Sequence, residues 1–175
     1  MSQRTSPQFQ RLLTLLPAAR GADHIDMKSG EGEATLRECI AGMFSYTPGW
    51  VRLLFRVRGV LAKVLGLRHE DVWTARVRPQ DVPFTPGERL RVFEVETASE
   101  AMESAHWIAT GRDTHLDASI VVLAEPLGEA RRRFFVYTVV TYKRWTGPLY
   151  FTLILPFHHL LVAAMLQAAL RSQQR

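Results

Sequence analysis

The sequence predicts an α+β domain in which a curved antiparallel sheet wraps around a long C-terminal helix, with two helices between the first and second strands. Three observations carry that expectation. Between Leu90 and Tyr142, four short segments alternate apolar and polar residues and are separated by turn-prone residues, the pattern of an antiparallel meander. Ahead of them, Glu33 to Phe44 and Pro48 to Leu65 repeat apolar residues at helical spacing. Behind them, Gly147 to Leu170 is apolar over a length that suits one long buried helix.

The composition fits one core. At 175 residues, 47% apolar and 22% charged, the chain lies in the globular range and leaves little room for two domains. We read residues 1–16 as an N-terminal arm, 17–172 as a single domain and 173–175 as a tail. Arg4 and Arg11 before Leu12-Leu13-Thr14-Leu15-Leu16 imitate a signal peptide, but the apolar run is short, Pro17 interrupts it and no cleavage pattern follows. Cys39 has no cysteine to pair with and no activating neighbour, which fits a reducing, cytoplasmic compartment and a small buried side chain. A charge of +5 invites a nucleic-acid reading, yet the arginines are scattered and no zinc-finger, RNP-like or glycine-rich motif gives them a geometry, so no nucleic-acid partner is expected. Gly147 to Leu170 is long enough to span a membrane, but Pro156, His158, His159 and Gln167 make insertion costly, so a core helix and no span are expected.

Taken in order, a first strand is expected over Asp23 to Lys28, ended by Gly30 and Gly32. The helix over Glu33 to Phe44 places Leu36, Ile40 and Met43 on one face. The next helix should bury Trp50, Leu53, Leu54, Val57, Leu61, Val64 and Leu65, turning Arg52, Arg56 and Lys63 outward, with Gly66 as its cap. From His69 to Glu88, four Pro and Gly punctuations predict a long loop. Strands follow near 90–97, 102–111, 115–123 and 133–142. A two-residue turn at Arg112-Asp113 would set Thr110 opposite His115, with Ala105, Trp107, Ala109, Leu116, Ala118 and Ile120 on a packed face and His106, Thr110, His115, Asp117 and Ser119 on a wet one. Ile108 is the exception on the wet side. A turn centred on Leu127-Gly128 would pair Ala118 with Tyr137 and Ile120 with Phe135, aiming Tyr137 inward. The last helix, from about Pro148 to Ser172 with a kink at Pro156, points Ile154, His158, Leu161 and Met165 inward and His159 outward.

This order of elements resembles the helix-grip, START-like (Bet v 1-like) architecture. Locally, Thr47-Pro48-Gly49-Trp50-Val51-Arg52, Asp113-Thr114-His115-Leu116-Asp117, Gly147-Pro148-Leu149-Tyr150-Phe151 and Pro156-Phe157-His158 resemble an uncharacterised bacterial domain family, over about Leu16 to Arg171. The resemblance implies a bent sheet that grips the last helix and often encloses an apolar cavity. It also implies a domain that occurs alone or behind a short-chain-dehydrogenase-like domain, though this chain carries no G-x-G-x-x-G of its own.

The candidate site is therefore the space between sheet and last helix, with His158, Trp107, Tyr137, Leu161 and Met165 as ligand-binding residues: three polar tips in an apolar surround. The plainer alternative is a filled core whose polar tips are satisfied by neighbours. The leading reading is a module that binds a small hydrophobic molecule. Its alternatives are an enzyme of cyclase or isomerase type using His158 and Tyr137 as acid and base, and an interaction domain for a dinucleotide-binding protein. No catalytic motif, cofactor or metal site is expected. Asp113, His115 and Asp117 alternate on one strand face as metal ligands do, but that face is read as the solvated one. Arg52, Arg56 and Lys63 form a basic helix face suited to an acidic protein partner or an anionic lipid surface, or simply to water.

Overall fold

The computed structural model describes residues 6–64, 76–101, 103, 105–128 and 130–171, with only the backbone of 58 and 60–64. Expectations that rest on Met102, on the side chains of Leu61, Lys63 and Val64, on Leu65 and Gly66, and on the loop's first part lie outside the described residues. In chain order the elements are α1 (Pro7–Leu15), a short 3-10 turn (Pro17–Gly21), β1 (His24–Gly32), α2 (Leu36–Ser45), α3 (Gly49–Val64), a second 3-10 turn (Pro79–Asp81), β2 (Arg89–Leu90), β3 (Phe93–Ser99), β4 (His106–Arg112), β5 (Leu116–Pro126), β6 (Arg132–Tyr142) and α4 (Thr146–Arg171). All strands join one six-stranded antiparallel sheet in the order β1-β6-β5-β4-β3-β2, so the meander runs from β2 to β6 and β1 closes its far side. The curved sheet with a long terminal helix across one face, and two helices between its first and second strands, is the expected fold class.

Each helix starts where the local chemistry allows. Thr35 caps α2: its hydroxyl accepts from the Glu38 N–H while the Glu38 carboxylate accepts from the Thr35 N–H, a capping box that places the start at Leu36, three residues later than Glu33. α2 buries Leu36, Cys39, Ile40, Met43 and Phe44, and burial pushes the Cys39 thiol up to about 12, which makes it inert. α2 and α4 approach so closely that a Cβ on Gly42 would sit 2.8 Å from the Ala169 backbone, a contact only glycine permits. The first strand runs four residues beyond Lys28, because Ser29 to Gly32 still pair with β6 and side-chain-free Gly30 and Gly32 give Leu170 of α4 room to pack.

Several expectations are corrected by packing. Three residues, Asp113 to His115, separate β4 from β5, with Arg112 opposite Asp117 and Thr110 opposite Ser119. This even shift leaves the paired β4 and β5 side chains on their predicted faces. The face expected to be wet is nonetheless covered: Leu12, Leu16 and Ala19 from the N-terminal segment pack on Ile108, Val121, Leu123, Phe135 and Val139. Ile108, out of place on a wet face, is at home under this arm.

The β5–β6 register differs by an odd step. The two strands run on to Pro126 and Arg132, so Ala118 pairs with Val140 and Ile120 with Thr138. An odd shift turns β6 over. Phe134, Val136 and Val140 face the main core, while Phe135, Tyr137 and Val139 face the arm. Among the described side chains of α3, Val51 and Phe55 are buried, whereas Trp50, Leu53 and Val57, expected inside, are exposed alongside Arg52 and Arg56. The strand expected over 90–97 is broken by a two-residue turn at Arg91-Val92, where Arg91 adopts φ 59°.

Candidate ligand site

Between the sheet's inner face and the helices α3 and α4 lies a cleft of about 670 Å³. Its floor is the sheet face set by the observed register, chiefly Leu116, Ala118, Ile120, Val136 and Val140; Leu54 and Phe55 of α3 form one wall. The other wall is α4, which contributes Ile154, His158, Leu161 and Met165. These four are the positions that helical spacing turned inward, so the α4 face was readable from sequence. The polar groups gather toward one end, where Arg91, Arg112, Asp113, His115 and Lys143 line the space.

Of the five candidate residues, His158, Leu161 and Met165 therefore line the cleft. Trp107 faces the same side but is wholly buried in the core: its indole N–H donates to the Pro83 carbonyl at 2.9 Å, pinning the loop before β2. It sits beside the edge of Phe44 and does not border the cleft. Tyr137 is on the opposite face among the arm residues, because the odd register step turned it over. The acid–base pairing of His158 with Tyr137 across one cavity is thereby excluded by geometry.

His158 has neighbours that the sequence did not announce. β1 sets His24, Asp26 and Lys28 at alternate positions beside α4. Lys28 Nζ lies 2.7 Å and His159 Nδ1 3.2 Å from the Asp26 carboxylate, and His158 Nε2 lies 4.0 Å from it. Burial pushes the Asp26 carboxyl up, but Lys28 and His159 outweigh that and hold it below its usual range. Burial dominates at His158, where it lowers the imidazole from 6.5 to about 4 against the pull of Asp26. His158 is thus neutral near pH 7, a hydrogen-bonding group without a charge in the cleft wall.

His115, read as an exposed strand residue, is buried in the β4–β5 connection, with Nδ1 3.5 Å from Asp113 and its ring edge-on to Tyr150. Asp117 pairs with Lys143 at 2.6 Å. The alternating acids and histidine therefore have protein partners, and among the described residues no three His, Cys, Asp or Glu side chains form a metal-holding group. Arg91 gave no signal in the sequence, since its place in the cleft comes from a left-handed turn conformation that glycine, asparagine or aspartate usually marks.

An antiparallel sheet wrapped on a terminal helix, with a largely apolar cleft between them, makes this a helix-grip α+β domain. The family model described as a protein of unknown function (DUF2867) matches residues 18–165, and the chain belongs to that family. No curated protein matches the chain. Among solved structures it is similar to the crystal structure of Ara h 8.0201, with 10% identity and a TM-score of 0.37 over 85% of this chain and 98% of that one.

Proposed function

We propose that the protein binds a small hydrophobic molecule in the cleft between the sheet and α4. The observation that carries this reading is the space itself: about 670 Å³, within the range of small-molecule sites, walled by aliphatic side chains from three elements and dotted with a few polar groups at one end. Close packing is the rule for protein interiors, so a mostly apolar cleft of this size left unfilled by the fold supports a binding role. Ile154, Leu161 and Met165 supply apolar contact, and neutral His158 supplies one directional hydrogen bond without the cost of burying a charge. Binding is preferred to an acid–base reaction by the His158–Tyr137 pair because Tyr137 faces away from the cleft.

Native mass spectrometry of gently purified protein tests the reading. A bound species of small mass is expected on the wild type and is expected to be lost from Ala118→Trp, whose indole would occupy the cleft floor. Equal occupancy in both proteins would contradict it.

A further inference from the structure

The outer faces of α3 and α4 are apolar and open. Leu53 and Val57 on α3, and Leu153, Phe157 and Leu160 on α4, are between 49% and 61% exposed. Trp145, just before α4, is 80% exposed. Val57, Leu153 and Phe157 also border the cleft, so this surface surrounds its mouth. Soluble surfaces scatter single apolar residues; a run of them along two neighbouring helices marks a contact face.

The charges carried by the two helices themselves have one sign. Neither α3 nor α4 contains an Asp or Glu. Arg52 and Arg56 are exposed on α3, and at 100° per residue Arg56 lies about 60° around the helix from Leu53, flanking the apolar stripe. Arg144 stands exposed beside Trp145. Leucine and phenylalanine bordered by arginine, with a tryptophan at the margin, is the layout of helices that lie in a bilayer interface beside anionic head groups. A second copy of the chain fits poorly, since a two-fold contact would set arginine against arginine without a carboxylate on either helix to offset it.

We propose that the α3–α4 face is a peripheral docking surface for an anionic membrane, with the apolar side chains entering the head-group boundary and Arg52, Arg56 and Arg144 meeting lipid phosphates and carboxylates. This surface is independent of what the cleft holds. It would place the cleft's mouth against the lipid.

The test is co-sedimentation of the full chain with vesicles of phosphatidylcholine alone and of phosphatidylcholine with roughly one-third phosphatidylserine. Salt-sensitive binding to the anionic vesicles, weak binding to the neutral ones, and a loss on the order of tenfold or more in Arg52→Glu/Arg56→Glu are expected. Leu53→Ser/Leu160→Ser, which changes exposed residues that do not line the cleft, should weaken binding while leaving the folded-state spectrum and Nile red uptake intact. No binding to anionic vesicles at low salt would overturn the proposal, as would binding that ignores both double variants. A concentration-dependent dimer abolished by Leu53→Ser/Leu160→Ser would assign the face to a second copy instead.

Discussion

At His158 burial and charge pull in opposite directions, and burial prevails. The folded protein keeps the imidazole neutral down to about 4, whereas the unfolded chain takes up its proton near 6.5. The stability this preference contributes is present above pH 6.5 and is lost as pH falls from 6.5 toward 4, up to about 3 kcal/mol in all. His24, also lowered mainly by burial, acts in the same direction. Denaturant titrations from pH 7.5 to pH 4.5 should show stability falling on acidification, with a flatter slope in His158→Gln; an unchanged slope would show that the buried imidazole does not carry it. The inward turn of His158 was legible because helical spacing alone orients it. The Asp26–Lys28–His159 group beside it was not, because it depends on β1 joining β6, a pairing between segments over one hundred residues apart.

Among the elements, the N-terminal segment changes most between expectation and structure. Leu12 is wholly buried against the outer sheet face, so α1 closes a second hydrophobic layer that strand alternation alone could not reveal. Leu12→Ala is expected to cost about 2–5 kcal/mol, the range for emptying a buried leucine site, and to lower the melting temperature accordingly. A loss within the noise of a surface mutation would show that the arm is only loosely seated. The β4–β5 faces were legible because an error of an even number of residues preserves sidedness, and the β5–β6 faces were not because the error there was odd and β6 is apolar on both sides. α3 illustrates a further limit. Its amphipathic pattern was visible, but one helix face exposes leucine and valine to solvent, and a rule that sends apolar residues inward assigns that face to the core.

For the whole molecule, ligand binding requires the grip between sheet and α4 to be incompletely filled. α4 is long and apolar enough to cross a membrane, with mean hydropathy 1.8 over its most apolar 18 residues. In the fold it divides instead: one side meets α2 and β1 through Val162, Met165, Leu166 and Ala169, the next lines the cleft, and the third is exposed. Packing among α2, α4 and the sheet does not require the cleft, so a bulky substitution on its floor should leave the main core intact while removing the space. The most direct measurement is a fluorescence titration with Nile red of the wild type, Ala118→Trp and Leu53→Ser/Leu160→Ser. The account predicts saturable binding at one site in the wild type and in the surface variant, and its loss in Ala118→Trp at an unchanged fold. Binding that survives Ala118→Trp but vanishes with the surface variant would place the dye on the α3–α4 face and contradict the cleft as the ligand site.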